Sequence, residues 1–220
     1  MALILACVGI FVWQLTLPIE DLERVIFAYG TIPAVVFTGA PAPYPDAGVP
    51  AWATVVTSMF LHGGIAHLLG NMLFLWIFGD NVEWSMGRFR FIVFYTLCGA
   101  AAATGQAIAD PSSTTPMIGA SGAISGVLGA YLVLFPFAQV RTLFVLIIFI
   151  QMIYVPAILV LGIWFGIQFL SGLAGGEEAG VAFWAHVGGF IAGVVLIPFF
   201  KRRTVRIFAP ARHEAWRPAS

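Results

Sequence analysis

The 220-residue chain is dominated by apolar residues, since 60% of it is hydrophobic and only 9% is charged, against roughly 25% charged in an ordinary soluble domain. The formal net charge is zero, so the charge balance favours no nucleic acid or other polyanion as a partner. The two cysteines, Cys7 and Cys98, stand in separate apolar segments and fit neither a disulfide framework nor a paired metal motif. The composition predicts an integral membrane protein that contacts the lipid bilayer.

Six apolar segments are candidates for membrane-spanning helices, which need about 20 residues, or fewer where neighbouring helices shield them. They cover residues 1–17, 64–79, 89–109, 121–135, 156–173 and 182–200. The first has no basic leader and no clear small-residue cleavage site, so we interpret it as a retained span. We expect residues 1–203 to form an all-α, six-helix membrane domain and residues 204–220 to form a basic cytosolic tail.

Two connecting segments are apolar but do not fit the pattern of a span. Residues 18–60 are repeatedly interrupted by prolines, and we expect a long loop there that lies in the membrane interface. Residues 142–155 precede Pro156, and proline usually ends or kinks a helix, so we assign them to an interfacial segment of undetermined form. Polar turns are predicted at 80–88 and 110–116.

The basic residues give the predicted orientation, because lysine and arginine near spans are retained in the cytoplasm. With six spans and a cytosolic tail, the loops at 80–88 and 136–155 are cytosolic, and every basic residue except Arg24 lies on that side. Both termini are then cytosolic, and we expect a multi-pass protein of a bacterial inner membrane. Glu83, near the end of span two, is interpreted as a structural carboxylate, since charges at helix ends usually find a partner.

Ionisable residues inside spans are costly and commonly functional, and here they are few. His67 and Asn71 are four residues apart on one face of span two. Ser121 begins span four, and His186 lies near the start of span six. These three spans run from outside to inside, so their polar groups are expected at one depth.

The length of span four gives an estimate of the depth of Ser121 in the membrane. Residues 121–135 form a helix of about 22 Å against a hydrocarbon core of about 30 Å, which puts Ser121 roughly 8 Å below the outer boundary. Non-helical backbone at such a depth is tolerated where it is buried in protein or lines a wet cavity. We therefore expect residues 117–120 to line a water-accessible pocket.

Glycines surround the serine and recur on span six, where they remove side-chain bulk. They are Gly119, Gly122 and Gly126 in span four and its approach, and Gly189 and Gly193 in span six. Small residues spaced four apart let helix backbones meet in a membrane. The pattern predicts contact between spans four and six, which would bring Ser121 and His186 together.

These residue types suggest acyl-transfer chemistry. A serine hydroxyl becomes a competent nucleophile when a base takes its proton, and histidine is the usual base, so we assign Ser121 as the nucleophile and His186 as the base. No Asp or Glu lies within a predicted span at this depth, so the sequence predicts a dyad and not a triad. The oxyanion needs neutral or cationic donors, which His67, Asn71 and the Ser121 backbone N–H can provide.

Three motifs resemble the rhomboid intramembrane serine proteases. They are GASG at 119–122, HxxxxHxxxN from His62 through His67 to Asn71, and AHxxG at 185–189. The resemblance covers about residues 50–200 and implies a six-helix bundle that cleaves transmembrane segments of other membrane proteins with Ser121 and His186. It also implies that His67, Asn71 and the Ser121 amide form the oxyanion hole and that His62 and Glu83 are structural supports.

The sequence departs from the family pattern at two places. The first outer loop lacks the Trp-Arg pair found in many members, and Ser125 stands where some members carry an aromatic residue near the histidine. The sequence alone does not say what anchors that loop or what packs against His186.

Two other functions fit part of the pattern. The histidines could ligate a metal or haem, but His62 and His67 are five residues apart, not four, and no glutamate follows His62, so we expect no metal and no cofactor. A non-catalytic rhomboid-like protein that only binds membrane helices is the remaining alternative. The presence of both Ser121 and His186 favours the protease.

Overall fold

The structure, a computed structural model, describes residues 1–146, 149–174 and 181–208. The described part of the chain is mostly helical. Its helices are α1 (Ala2–Gln14), α2 (Ile19–Tyr29), α3 (Pro33–Thr38), α4 (Ala51–Thr57), α5 (Ile65–Met86), α6 (Arg88–Ala109), α7 (Ser121–Leu134), α8 (Ala157–Leu173) and α9 (Phe183–Phe200), and its strands are β1 (Gln139–Leu146) and β2 (Phe149–Pro156). Most of the predicted basic tail, residues 209–220, lies outside the described residues.

Within the described residues, three helices are long and apolar enough to cross a membrane, namely α5, α6 and α9. Helices α1, α7 and α8 are apolar but have fewer than 18 residues. These six helices correspond to the six predicted spans, and α7 has 14 residues, which is about 21 Å at 1.5 Å per residue. The count of six spans stays a prediction, because three of the helices are shorter than a full span.

The predicted polar turn at 80–88 is wrong, because α5 continues through it to Met86. Residues such as Asp80 and Glu83 are compatible with a helix, and polarity alone does not end one. The break occurs at Gly87, whose φ of +89° lies in the left-handed region that glycine adopts without steric cost. Helix α6 begins at the next residue.

The chain is not all-α, because the segment after α7 forms a β-hairpin. Strand β1 pairs antiparallel with β2, from Gln139 opposite Pro156 to Leu146 opposite Phe149. The segment contains many β-branched and aromatic residues, which favour strands, but a continuous apolar run does not separate strand from buried helix by periodicity. The hairpin leads directly into α8, for which Pro156 is the N-cap.

The connector at 18–60 contains three short helices, α2 to α4, and so is not an irregular loop. Its prolines begin helices, since Pro33 is the first residue of α3 and Pro50 is the N-cap of α4. Thr31 anchors this connector, since its hydroxyl lies 2.9 Å from Ser58 Oγ and 3.0 Å from the Thr54 carbonyl. Its backbone also exchanges hydrogen bonds of 3.0 and 2.8 Å with Met117. Thr31 therefore ties the connector to the segment that precedes Ser121.

Helix α7 lies at the centre of the core, packed against α5, α6 and α9. Ten of its 14 residues are buried, including Ser125, Val127 and Leu134, as expected of a helix that is apolar on all sides. The predicted contact with α9 is present. A Cβ added to Gly193 would overlap the Gly126 carbonyl group, and one added to Gly189 would overlap the Gly122 carbonyl group.

We predict that Gly193→Ala destabilises the protein. Even one methyl group at this position collides with the backbone of α7, and overpacking of a tight core costs about 1–3 kcal/mol. Thermal unfolding in detergent measures the effect. The matched control is Gly162→Ala on α8, where nothing lies within 4 Å of the added Cβ. This control should keep or slightly raise the stability, because alanine favours helix over glycine. Equal stability of both variants would mean that α7 and α9 do not pack this closely.

Candidate active site

Ser121 is the first residue of α7, preceded by a backbone bend at Gly119. The φ of Gly119 is +116°, a conformation that residues with a Cβ rarely adopt. The Gly119 N–H donates to the Ser58 carbonyl at 2.9 Å, which holds the bend in place. At the start of a helix the N–H groups have no partner within the helix and the helix dipole favours negative charge. Ser121 is therefore positioned where an oxyanion would be stabilised.

His186 lies in the first turn of α9 and contacts the serine directly. Its Nε2 is 2.9 Å from Ser121 Oγ, so the structure brings together the two residues that were assigned as base and nucleophile. The contact follows from the close packing of the helices, because Gly189 lies one turn after His186 against the Gly122 carbonyl.

The other face of His186 is held by α8, which the sequence analysis did not anticipate. The side-chain oxygen of Gln168 is 2.7 Å from His186 Nδ1. The indole ring of Trp164 lies with its centroid 5.8 Å from that of the imidazole, at an interplanar angle of 39°. The sequence does carry a signal, because Gln168 is the only amide side chain in predicted span five.

His67 and Asn71 lie on the first two turns of α5 and face the bend before the serine. A Cβ built on Gly119 would lie 2.7 Å from His67 Nε2 and 3.7 Å from Asn71 Nδ2. The Gly63 N–H donates to His67 Nδ1 at 3.4 Å, so in the neutral ring Nε2 carries the hydrogen. Asn71 Nδ2 donates one hydrogen to the His67 carbonyl at 3.0 Å, and an amide nitrogen has two. Both side chains can therefore supply a donor beside Gly119.

His62 is buried behind this pair, with its ring edge-on to His67 at 5.3 Å. Its backbone N–H and carbonyl are both bonded to the amide side chain of Gln14 in α1, at 3.0 and 3.2 Å. The His62 Nδ1 lies 3.3 Å from the Phe60 carbonyl. Gln14, another polar residue of an apolar span that the sequence analysis missed, thus connects α1 to the segment that leads into His67.

A cavity of about 300 Å³ adjoins Ser121. Met117, Ile118 and Gly119 line it, as expected, whereas Ala120 is fully buried and does not. Gln106 of α6 contributes a polar group to the wall. The cavity has room for several water molecules or a small side chain next to the hydroxyl.

Comparison with known proteins identifies the family of this chain. A family model described as the Rhomboid domain matches residues 50–203. The chain belongs to the rhomboid family. The family predicted from the three motifs is therefore confirmed, and family membership together with the long apolar helices indicates an integral membrane protein.

Individual relatives are similar over part of their length. Rhomboid protease GluP of Bacillus subtilis is 44% identical over 81 residues, which are 37% of this chain and 15% of GluP. Rhomboid protein 1, mitochondrial, of Saccharomyces cerevisiae is 32% identical over 152 residues, 64% of this chain and 40% of that protein. RHOMBOID-like protein 5 of Arabidopsis thaliana is 33% identical over 78 residues, 36% of this chain and 25% of that protein. The chain matches less than half the length of each of these relatives.

The structure accounts for both departures from the rhomboid pattern. Trp164 of α8 supplies the aromatic ring beside His186, whereas Ser125 turns its hydroxyl back to the Ser121 carbonyl at 2.7 Å. The connector between α1 and α5 is anchored through Thr31, whose hydroxyl bonds to Ser58 and Thr54.

Glu83 does not belong to this site. It lies in the last two turns of α5, where its Oε1 is 3.7 Å from Arg88 Nε. It is 16 positions after His67 in the same helix, which is about 24 Å along the helix axis.

Within the described residues, no group of three or more His, Cys, Asp or Glu side chains is placed to hold a metal ion.

We predict that Gly119→Ala strongly lowers kcat. The new methyl group would strain the backbone at φ +116° and would meet the His67 ring, so the bend and the proposed donor both shift. Cleavage of a single-span substrate in detergent measures the effect. Gly70→Ala on α5 is the control, because its Cβ meets nothing within 4 Å. Full activity of Gly119→Ala would show that this bend does not organise the site.

Proposed function

We propose that the protein is a serine endopeptidase that hydrolyses peptide bonds in or near transmembrane segments of other membrane proteins. The observation that carries this proposal is the 2.9 Å contact between Ser121 Oγ and His186 Nε2 at the start of α7. Family membership and relatives named as rhomboid proteases support it. The same contact disfavours the alternative of a rhomboid-like protein that only binds membrane helices, because binding requires no base next to a serine.

The acylation step uses the contact directly. His186 Nε2 accepts the Ser121 Oγ proton while Oγ attacks the carbonyl carbon of the scissile bond. The carbonyl oxygen becomes an oxyanion, which the Ser121 N–H, His67 Nε2–H and Asn71 Nδ2–H stabilise as donors. The imidazolium then gives its proton to the leaving amine nitrogen, and the C–N bond breaks. The product is an acyl-enzyme ester at Ser121.

Deacylation reverses these roles with water as the nucleophile. His186 Nε2 takes a proton from a water molecule, whose oxygen attacks the ester carbonyl carbon, and the proton passes to Ser121 Oγ as the ester bond breaks. The cavity beside Ser121 supports this step because it offers space for water next to the ester.

The transmembrane substrate must unwind locally before it is cleaved, since a helix keeps its carbonyl groups in its own hydrogen bonds.

The proposal includes a location. We place the protein in a bacterial inner membrane with both termini cytosolic, because lysine and arginine residues follow α9 and two arginines, Arg88 and Arg90, lie in the first turn of α6. Residues 1–203 would be the membrane domain and 204–220 the cytosolic tail. His62, Gly122, Gly189 and Gly193 would support the site from outside the reacting groups, and Glu83 would be a structural carboxylate at the other end of α5.

We expect Ser121→Ala and His186→Ala to leave no detectable cleavage, because the first lacks the nucleophile and the second lacks the base. The assay incubates the purified protein in detergent with a single-span substrate. The matched control is Ser125→Ala, one turn later on α7, which removes a buried hydroxyl that donates back to the Ser121 carbonyl of its own helix. It should retain activity close to wild type. A serine-directed isocoumarin should label the wild type and the control but not Ser121→Ala.

Two outcomes would contradict the proposal. Cleavage by Ser121→Ala at the wild-type rate would show that another group is the nucleophile. Activity abolished by EDTA and restored by zinc would indicate metal chemistry in place of the serine mechanism.

Asn71→Ala should lower kcat by about 10²–10³ with little change in KM. Asn71 would donate one hydrogen bond to an oxyanion that exists only in the transition state, and loss of one such donor has an effect of this size. Kinetics on one substrate, with thermal stability checked in parallel, separate this role from packing. Weaker binding with an unchanged kcat would instead assign Asn71 to substrate positioning.

A further inference from the structure

A serine–histidine pair needs something to orient the imidazole and to stabilise the imidazolium that forms during reaction. In serine proteases with a triad, a buried carboxylate bonded to Nδ1 does this. In the described structure the partner of His186 Nδ1 is the neutral amide of Gln168, at 2.7 Å. This distance is at the short end of the range for N–H···O hydrogen bonds, so the contact is close and specific.

We propose that Gln168 is a positioning residue that completes a Ser121–His186–Gln168 relay across three helices, α7, α9 and α8. This inference rests on the proposed function of the pair. An amide oxygen can only accept a hydrogen bond, so Nδ1 must carry the ring hydrogen and Nε2 must present its lone pair to Ser121 Oγ. Gln168 thereby selects the one neutral tautomer in which His186 can act as a base.

A neutral residue suits the location. An ionised carboxylate inside a membrane protein carries a large desolvation cost unless it is paired, whereas an amide oxygen offers a directed dipole without net charge. The Trp164 ring, on the same face of α8 one turn earlier, lies 5.8 Å from the imidazole. Aromatic faces attract cations at such distances. Helix α8 therefore supplies two neutral groups that favour the imidazolium.

The relay makes the alignment of the dyad depend on α8. The buried apolar residues of α8 are Ala157 and Leu161 near its beginning, whereas Ile163, Ile167 and Leu170 are exposed. Near Gln168, the stacking of Phe165 on Phe190 at 4.5 Å holds α8 against α9. A shift of α8 away from α9 would break the hydrogen bond between Gln168 and His186 Nδ1. The imidazole would then no longer be restricted to one tautomer.

The test compares Gln168→Met, which is similar in size but has no amide acceptor, with Gln168→Glu, which keeps oxygen acceptors at the same position. Ile163→Met on the exposed face of α8 is the matched control. The first readout is nitrogen NMR of protein labelled with ¹⁵N-histidine, with the His186 signals assigned by comparison with His186→Ala. The second is kcat and KM on a single-span substrate, with thermal stability measured for each variant.

We expect wild-type His186 to carry its hydrogen on Nδ1 and Gln168→Met to show a mixture of tautomers. Gln168→Met should lower kcat about tenfold, with KM and thermal stability unchanged, as expected for the loss of one hydrogen bond. Gln168→Glu should retain the Nδ1–H tautomer and kcat within about threefold, because a carboxylate bonded to His186 Nδ1 is paired and avoids the cost of an isolated ion. Ile163→Met should match the wild type.

The outcomes separate this inference from the proposed function. A His186 signal with the hydrogen on Nε2 in the wild type, or an unchanged tautomer in Gln168→Met, would overturn the relay even if the protein cleaves its substrate. Equal losses of kcat and thermal stability in Gln168→Met and Gln168→Glu would also overturn the relay, because they would show that Gln168 contributes only to packing. If the wild type neither cleaves nor reacts with serine reagents, the proposed function fails, while the NMR result still decides whether Gln168 sets the tautomer.

Discussion

The site depends on one packing contact, the approach of the α7 and α9 backbones through glycines. Gly189 and Gly193 lie against the carbonyl groups of Gly122 and Gly126, with no space for a side chain between them. Helix association inside a membrane has no hydrophobic driving force between helices and relies on packing of this kind. Because His186 lies one turn before Gly189 and Ser121 lies next to Gly122, the same contact fixes the 2.9 Å separation of the two side chains.

A second constraint acts on the backbone before α7. This segment is not helical, so its polar groups need partners inside the protein. Met117 pairs with Thr31, and Gly119 donates to the Ser58 carbonyl. Thr31 and Ser58 also bond to each other. The connector after α1 is therefore part of the active-site framework, because it supplies the hydrogen bonds that shape the bend before Ser121.

The polar contacts around the site use neutral amides in place of charges. Gln14 bridges both backbone groups of His62, and Gln168 bonds to His186 Nδ1. Each amide lies in an otherwise apolar helix and links it to another part of the bundle. Buried polar groups stabilise a structure when their hydrogen bonds are satisfied, and uncharged ones avoid the desolvation cost of an unpaired ion.

The sequence by itself determined the family and the approximate positions of most of the helices, because runs of apolar residues and glycines spaced four apart reflect local, periodic requirements. It also predicted that Ser121 and His186 meet, since both lie near the beginning of helices that run in the same predicted direction. It did not determine the hairpin of β1 and β2, because a continuous apolar run fits either a strand or a helix.

Only the tertiary structure decided the partners of the site. Gln168 is 18 positions before His186, and Gln14 is 48 before His62, so no local pattern connects them. The aromatic ring beside His186 belongs to Trp164 of α8, whereas some family members carry an aromatic residue at the position of Ser125 in α7. Such contacts depend on how the helices rotate and approach one another, and the periodicity of one helix carries no information about the side chains that a neighbouring helix turns toward it.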